Sequence, residues 1–274
     1  MTSYKVEKAE EYKPTVFHRI TSAIEPETEA DPIAIHTILM IFFGNVVGKK
    51  AYYVVGATKH YCNLMTVLVG KTAKGRKGTA FDCCTHVFDQ IDSTWVKDNI
   101  KSGLSSGEGL VKAIQDIKSK DSEGVKQDKR MLVSASEFSS ILKHFGRDGN
   151  ILSEILKKSW DGKDLHILTR KEPLSVPSPH LSLVGEVTLE ELKRRIRDTE
   201  LYNGFANRMM WLIVKRSKKL PHGGNLDLSS VSTEIKELKK AIEFASTVGE
   251  IELSESAHEV WVGLYDILSD EIPG

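Results

Sequence analysis

The chain has 274 residues, of which 40% are hydrophobic and 28% are charged, as is usual for a globular protein. Its 38 basic and 38 acidic side chains give a formal net charge of zero. The chain as a whole is therefore not a polycation, and any nucleic-acid binding has to come from local basic patches.

The cysteines and the apolar segments exclude further classes. Cys62, Cys83 and Cys84 have no C-x-x-C spacing, which argues against a disulfide framework or a zinc site and favours a reducing, cytoplasmic compartment. The charged N-terminus lacks the pattern of a secretory signal. The longest apolar run, residues 33–47, is interrupted by polar residues and is too short for a membrane span, so we expect no membrane partner.

The predicted elements alternate between helices and strands through the middle of the chain. Residues 1–30 are charged and expected to be loosely held, and Asp31-Pro32 begins an apolar helix. The predicted helices are 33–43, one ending near 89, 110–117, 137–144, 151–159 and one starting at the capping box Thr188…Glu191. The predicted strands are 51–55, 64–69, 95–100, 130–133, 165–169, 180–184 and 209–214.

This alternation predicts an α/β protein with a mainly parallel sheet whose faces are covered by helices. Residues 118–129 are polar and predict an exposed loop, and residues 226–274 show helical periodicity without a strand signal. We therefore divide the chain into an N-terminal segment with a helix (1–48), an α/β core (49–225) and a helical C-terminal extension (226–274).

The segment from Val67 to Thr79 is the most informative. An apolar strand ends at a glycine, a loop rich in glycine and lysine follows, and then a helix begins. Such a loop presents backbone N–H groups to phosphates at a helix N-terminus, and its glycines let the backbone approach closely. The alternative is a basic surface turn between two core elements.

The loop differs from a regular G-x-x-x-x-G-K-[ST] phosphate loop. Gly70 and Gly75 have the expected separation, but Arg76 follows Gly75, so the position of the phosphate-binding lysine is ambiguous. We assign that role to Lys77, with Thr79 or a water near a magnesium ion and Arg76 as a second phosphate ligand. The expected nucleotide-binding residues are Gly70, Lys74, Gly75, Arg76, Lys77, Gly78 and Thr79.

A nucleotide triphosphatase also needs carboxylates that support the metal and polarise the attacking water. Glu108 follows the predicted strand 95–100, and Glu137 follows the strand 130–133, so both are expected at the sheet edge where ligands bind. Both are therefore candidates for these two roles, and we expect Glu137 to support the metal. Alternatively, each is a solvated glutamate at a helix start.

Three further features have two interpretations each. Arg208 precedes a strand and is the right residue to stabilise a transferring phosphoryl group, in cis or from a neighbouring subunit, but it also suits a structural salt bridge. The basic runs 193–197 and 215–219 either follow a nucleic-acid backbone or form solvated surfaces. Thr188 after the strand 180–184 either senses a γ-phosphate or, as we favour, caps a helix.

Several stretches in order resemble the primase-associated, RepA-like helicase domain of plasmids, phages and mobile elements, part of which is known only as a domain of unknown function. The resemblance covers roughly residues 30–274. The stretches are Leu68–Thr79, Ser102–Leu110, Asp128–Val133 with Glu137-Phe138, Arg147–Asn150, Trp160–Gly162, Asn203–Arg208, Lys215–Ser217 and Leu220-Pro221.

The resemblance implies a RecA-like P-loop core, hydrolysis of ATP with Mg²⁺, single-stranded DNA as a partner, and a homo-oligomer that is often a ring. It also implies that Glu108 is the catalytic glutamate and Lys77 the phosphate-loop lysine.

Two positions depart from the family pattern: Ala135 replaces an acidic residue, and Glu186 replaces a histidine. These departures favour a runner-up function, a nucleotide-binding switch or assembly module, for example in anti-phage defence. A phosphate-binding fold for another anion is a third alternative.

Overall fold

The computed structural model describes residues 14–121, 124–127, 129–168 and 172–269, with side chains left out for 118–121 and 124–127. Its α-helices are α1 (Val16–Ile24), α2 (Pro32–Val47), α3 (Lys77–Asn99), α4 (Gly107–Asp116), α5 (Phe138–Phe145), α6 (Leu152–Trp160), α7 (Leu189–Arg195), α8 (Asp198–Tyr202), α9 (Ser232–Val248) and α10 (Glu255–Ser269). Its strands are β1 (Ala51–Val55), β2 (Thr58–Tyr61), β3 (Met65–Val69), β4 (Ile100–Lys101), β5 (Lys118–Asp121), β6 (Gly124–Gln127), β7 (Arg130–Ala135), β8 (Leu165–Ile167), β9 (Leu174–Val176), β10 (His180–Val187), β11 (Met210–Ile213) and β12 (Gly249–Glu250).

Five strands form an all-parallel sheet in the order β11-β3-β10-β7-β4. The predicted α/β class with a parallel sheet is thereby confirmed. The next strand along the chain after β3 is β4 at the far edge, and the chain returns through β7 and β10 before it crosses β3 to β11. Strand β3 is therefore the second strand from one edge, and its carboxyl end lies between the ends of β10 and β11.

Each face of the sheet is covered by helices, as expected for parallel strands. On one face, Leu68, Leu132 and Val184 pack against α2, α3 and α9 in one apolar core. On the other face, Val67, Val133 and neighbouring strand residues pack against α4, α5 and α6 in a second core. The three layers hold the carboxyl ends of β3, β10, β7 and β4 along a single edge.

A buried asparagine joins the layers of the first core. Asn45, fully buried near the end of α2, donates to the carbonyl oxygen of Met131 at 2.9 Å and to Oγ of Ser182 at 3.2 Å. Its Oδ1 accepts a hydrogen bond of 3.0 Å from Nε1 of Trp95. One side chain thus links α2 and α3 to two central strands, β7 and β10, and satisfies polar groups that have no access to water.

Several predicted elements were wrong. The predicted strand 95–100 is the end of α3, and only its last residue belongs to a strand, β4. The buried positions Cys84, Phe88, Ile91 and Trp95 have helical spacing, so the side chains there are explained by packing of a helix against α2. Helical structure therefore continues past residue 89, but it is interrupted at Asp92, whose non-helical backbone (φ −148°, ψ 82°) kinks α3.

Other differences concern the chain's ends and loops. Residues 118–121 and 124–127 form the antiparallel hairpin β5–β6 instead of a loop. Within the N-terminal segment, α1 is held firmly because Ile20 and Ile24 are buried, whereas residues 1–13 lie outside the described residues. Among the described helices, none combines the length and the apolar character that a membrane span requires.

Replacing Asn45 by alanine tests the link between the layers. We expect Asn45→Ala to lower the free energy of unfolding by about 2–4 kcal/mol, because the buried Trp95 N–H loses its acceptor and the core gains a cavity. Urea denaturation measures the change, with Asn225→Ala on the exposed surface as the control. A loss below about 0.5 kcal/mol, the range of ordinary surface substitutions, would contradict this account.

Candidate functional site

The glycine-rich loop lies at the carboxyl edge of the sheet, between β3 and α3. Its start is held by both neighbouring strands, since the N–H of Gly70 donates to the carbonyl oxygen of Val187 at 3.1 Å and the N–H of Val214 donates to that of Val69 at 2.9 Å. In parallel sheets, ligands bind at this edge, close to where the strand order reverses.

Lys77 is folded into this loop. Its side chain is buried, and Nζ donates to the carbonyl oxygens of Gly70 at 3.0 Å and Lys71 at 3.3 Å. Arg76 points elsewhere, because its Nε contacts Oε2 of Glu29 at 2.5 Å. The geometry therefore places the amine of Lys77, and not the guanidinium of Arg76, inside the loop.

The two glycines of the loop are required by close contacts. A Cβ atom at Gly75 would lie 2.8 Å from the carbonyl oxygen of Lys71 and 3.3 Å from Nζ of Lys77, and one at Gly70 would lie 2.7 Å from the carbonyl oxygen of Val214. The loop also places Ala73 and Arg76 at φ of 52° and 48°, which is rare for residues with a side chain. Strained backbone of this kind often occurs where a loop contacts a ligand.

The start of α3 is open to an anion. Arg76 at the N-cap position makes no side-chain capping bond, and the first turn has no acidic residue. Backbone N–H groups in a first helical turn have no partner within the helix, and the helix dipole adds partial positive charge there. Gly78 and Thr79, both exposed, belong to this turn together with Lys77.

A cavity of about 470 Å³ adjoins the loop. It extends from Gly70 and Lys74 to the end of β11 and the start of α7, where Ile213 and Leu189 are exposed. Its size falls within the range of about 300–1,000 Å³ that is usual for small-molecule pockets. Charge at the loop and apolar side chains opposite suit a ligand with an anionic end and a flat, apolar end.

The strand order determines which carboxylate is nearest to the loop. From β3 outward, the strand ends carry Glu186 on β10, then Glu137 after β7, then Glu108 in the first turn of α4 after β4. At about 4.8 Å per strand, these strand axes lie roughly 5, 10 and 14 Å from that of β3. Glu186 is therefore the nearest of the three, whereas Glu108 lies at the far end of the edge.

Glu186 and Lys77 interact inside this edge. Burial lowers the pKa of Lys77, opposed by the charges of Glu186 and Glu191. Burial raises the pKa of Glu186 to about 7, opposed by Lys77 and supported by Asp82. A Cβ atom at Gly78 would lie 3.8 Å from Oε1 of Glu186, so the carboxyl group adjoins the first turn of α3. Burial therefore disfavours the charged form of both side chains, and Glu186 only partly neutralises the charge of Lys77.

The strand alternation could not reveal Glu186 as a partner of Lys77, because the two are far apart in sequence. The only signal was a polar residue near the end of an otherwise apolar strand. The same structure gives Thr188 the role of N-cap that we favoured, since its Oγ1 accepts from the N–H of Glu191 at 3.1 Å and Glu191 bonds back to the N–H of Thr188.

Arg208 lies just before β11, at the amino ends of the strands and therefore at the end of the sheet opposite the loop. It forms a two-point salt bridge with Asp161, with distances of 3.0 Å for Nε to Oδ1 and 3.1 Å for Nη2 to Oδ2, and it donates to the carbonyl oxygen of Gly204 at 2.8 Å. Because β11 runs parallel to β3, Arg208 is roughly one strand length from the loop of its own chain. A role as a finger across a subunit interface stays a prediction.

The basic run 215–219 is partly neutralised by the N-terminal segment. Lys218 contacts Glu25 at 2.9 Å, Arg216 lies 3.6 Å from Glu29, and the N–H of Lys215 donates to Asp31 at 2.9 Å. The same Glu29 holds Arg76, so the N-terminal segment stabilises the loop from outside. These contacts favour the structural interpretation of this basic run.

The donor groups suit magnesium only together with a ligand. Within the described part of the chain, no three His, Cys, Asp or Glu side chains are grouped so that they would hold a metal ion. Mg²⁺ is usually bound by one or two carboxylates together with phosphate oxygens, so the hydroxyl of Thr79 and the carboxylates of this edge fit that pattern. They do not form a cage made only of protein groups.

Comparison with protein-family models and with curated proteins found no match for the chain. What the site does must therefore be argued from its own residues.

The burial of Glu186 predicts that the free energy of unfolding depends on pH. Its pKa is about 7 in the folded chain against 4.5 when exposed, so its neutral form favours folding below pH 5, and this contribution is lost as the pH rises through 7. Relative to Glu186→Gln, we expect the stability of the wild type to fall by about 1–3 kcal/mol between pH 5 and 8. Urea denaturation at each pH measures the free energy of unfolding, and curves against pH that run parallel for the wild type and Glu186→Gln would contradict this. Glu154→Gln, an exposed carboxylate on α6, is the control.

Proposed function

We propose that this chain binds ATP with Mg²⁺ at the loop 70–79 and hydrolyses it while acting on DNA, as a helicase-like protein of a mobile element. The observation that carries the proposal is the buried amine of Lys77, held by the loop carbonyl oxygens of Gly70 and Lys71 beside an uncapped helix start. A triphosphate arriving there receives backbone N–H groups and the lysine charge together.

The arrangement of the sheet supports a RecA-like P-loop core. The strand that leads into the loop is an inner strand, parallel to both neighbours, and the helix that follows it packs on α2 across one face. Carboxylates at the neighbouring strand ends share the loop's edge, as phosphoryl transfer requires. The resemblance to the RepA-like helicase domain supplies the nature of the nucleotide and the DNA.

The residues have separate roles in this proposal. Lys77 and the N–H groups of Gly78 and Thr79 in the first turn of α3 hold the phosphates, Thr79 and Glu137 support the metal, and Glu108 positions water. The bound metal ion would neutralise charge on the phosphate oxygens. Lys74 lines the adjoining cavity and reaches the phosphates from outside, and Arg76 joins them only after it leaves Glu29.

A second function, a nucleotide-binding switch with little hydrolysis, is favoured by the surroundings of Lys77. Glu186 lies closer to the loop than either assigned carboxylate and competes with phosphate for the lysine charge. The end of β7 carries Ala135, which is buried and offers no metal ligand. Both features weaken the handling of metal and γ-phosphate more than they weaken binding of the nucleotide.

Replacement of Lys77 tests nucleotide binding. We expect Lys77→Ala to weaken ATP affinity at least tenfold, because the phosphates lose a charge-assisted hydrogen bond that is worth about 1.5–3 kcal/mol. Isothermal titration with ATP and Mg²⁺ measures it. Lys97→Ala, an exposed lysine near the other end of α3, should bind as the wild type does. Equal affinity in Lys77→Ala and the wild type would refute the site.

Phosphate release separates the motor from the switch. In the motor, single-stranded DNA stimulates release, and Glu108→Gln lowers turnover by about 10²–10³-fold while ATP still binds. Glu154→Gln serves as the matched control. Tight ATP binding without DNA stimulation, together with turnover that Glu108→Gln leaves unchanged, would favour the switch.

A further inference from the structure

A second pocket lies at the amino edge of the sheet, on the opposite side from the loop. It has a volume of about 270 Å³ between the hairpin β1–β2 and the end of α6. Its walls include His60, Tyr61 and Asn63 from the hairpin side and Trp160 and Lys163 from the other. The volume is below that of pockets for drug-sized ligands, and it suits a single flat group such as a nucleobase.

The surroundings of this pocket are basic. Residues 32–81 contain no aspartate or glutamate, and Lys49, Lys50 and Lys59 belong to this segment. Lys163 adds a charge at the pocket itself. The acidic Asp161 is paired with Arg208, and Asp164 accepts a bond of 2.7 Å from the N–H of Ser178. The charge of Asp164 acts on Lys49, so the cations that stand at the pocket itself are Lys59 and Lys163.

Flat rings and cations alternate across this surface. Nζ of Lys59 lies 3.9 Å from the ring centre of Tyr52, and Nζ of Lys49 lies 4.8 Å from that of Tyr61. The guanidinium of Arg208 lies 5.6 Å from the ring centre of Trp160. Proteins that bind single-stranded nucleic acid use this combination, with rings that stack on bases and cations that follow the backbone.

Packing of the main cores accounts in part for Trp160, which lies against the core under α4, α5 and α6, but not for the tyrosine rings. Neither apolar core includes the tyrosines of the hairpin. Among the strands in the described part of the chain, the hairpin pairs only with the two-residue strand β12. Thr58, Lys59 and His60 are exposed, and Tyr53 is 38% exposed. An aromatic, basic hairpin outside the cores is a feature of binding surfaces.

We propose that this hairpin pocket binds single-stranded DNA, with a base between Tyr61 and Trp160 and the backbone along Lys59 and Lys163. The proposal deepens the proposed function, on which it rests for the choice of DNA. The two sites are separated by the five residues of β3, or about 17 Å, because Asn63 and Leu64 precede this strand and the phosphate loop follows it. DNA binding can therefore be measured without nucleotide.

The experiment is fluorescence anisotropy of a labelled oligothymidylate at low salt, without ATP. We expect Trp160→Ala to weaken binding about 5- to 100-fold through loss of stacking. The double variant Lys59→Ala/Lys163→Ala, on exposed side chains, should weaken binding and reduce the salt slope by about 1.4, since each phosphate contact contributes about 0.7. The matched control Lys97→Ala/Lys112→Ala removes two exposed lysines elsewhere and should bind as the wild type does.

Two results would overturn the proposal: no binding of the oligonucleotide at low salt, or binding that Trp160→Ala and the double variant both leave unchanged. Equal affinity for duplex DNA would also overturn it, because paired bases cannot stack on the rings. Lys77→Ala serves to distinguish the two sites. It should lose ATP binding and keep DNA binding, so that failure at one site does not imply failure at the other.

Discussion

The amine of Lys77 is buried in a loop that satisfies it only partly. Two carbonyl oxygens accept its hydrogen bonds, and a half-buried carboxyl group, Glu186, lies nearby with a raised pKa. A buried cation requires a counter-charge, and here burial weighs more than the attraction between the two groups. The other features of the loop depend on this constraint, since Gly75 leaves room for the amine and the backbone bends sharply on either side of it. An anion at the helix start would supply the missing charge.

The order of the strands decides which groups can cooperate with this lysine. Strand β10 lies next to β3, so its carboxyl group is closest, while the strand that follows β3 in sequence lies at the far edge. Because β4 lies at the far edge, the distance between Glu108 and the loop depends on the position of α4, whose first turn carries Glu108. A site assembled in this way responds to small shifts of helices at the edge, which is consistent with either a motor or a switch.

Much of the fold could be predicted from local patterns. The strands β3, β7, β10 and β11 follow from apolar runs bounded by glycine or polar residues, and the cap of α7 follows from Thr188 and Glu191. The segment of α3 after the kink at Asp92 could not be assigned correctly, because Trp95, Val96 and Ile100 also favour strands. The packing of Trp95 against Phe42 of α2 decides the outcome. The sequence alone did not decide whether Arg76 or Lys77 points into the loop, because this depends on the contact between Arg76 and the distant Glu29. The proximity of Glu186 depends on strand order, a long-range property that no local pattern contains.

The two edges of the sheet have different chemical character. The carboxyl edge combines N–H groups, a lysine and carboxylates, whereas the amino edge combines aromatic rings and cations around Trp160. The proposed function depends on the carboxyl edge and its loop. Hydrogen–deuterium exchange with a non-hydrolysable ATP analogue and Mg²⁺ tests it most directly. The account predicts protection of the amides from Gly70 to Thr79 that disappears in Lys77→Ala. Unchanged exchange in this loop at saturating analogue, or protection confined to other parts of the chain, would contradict it.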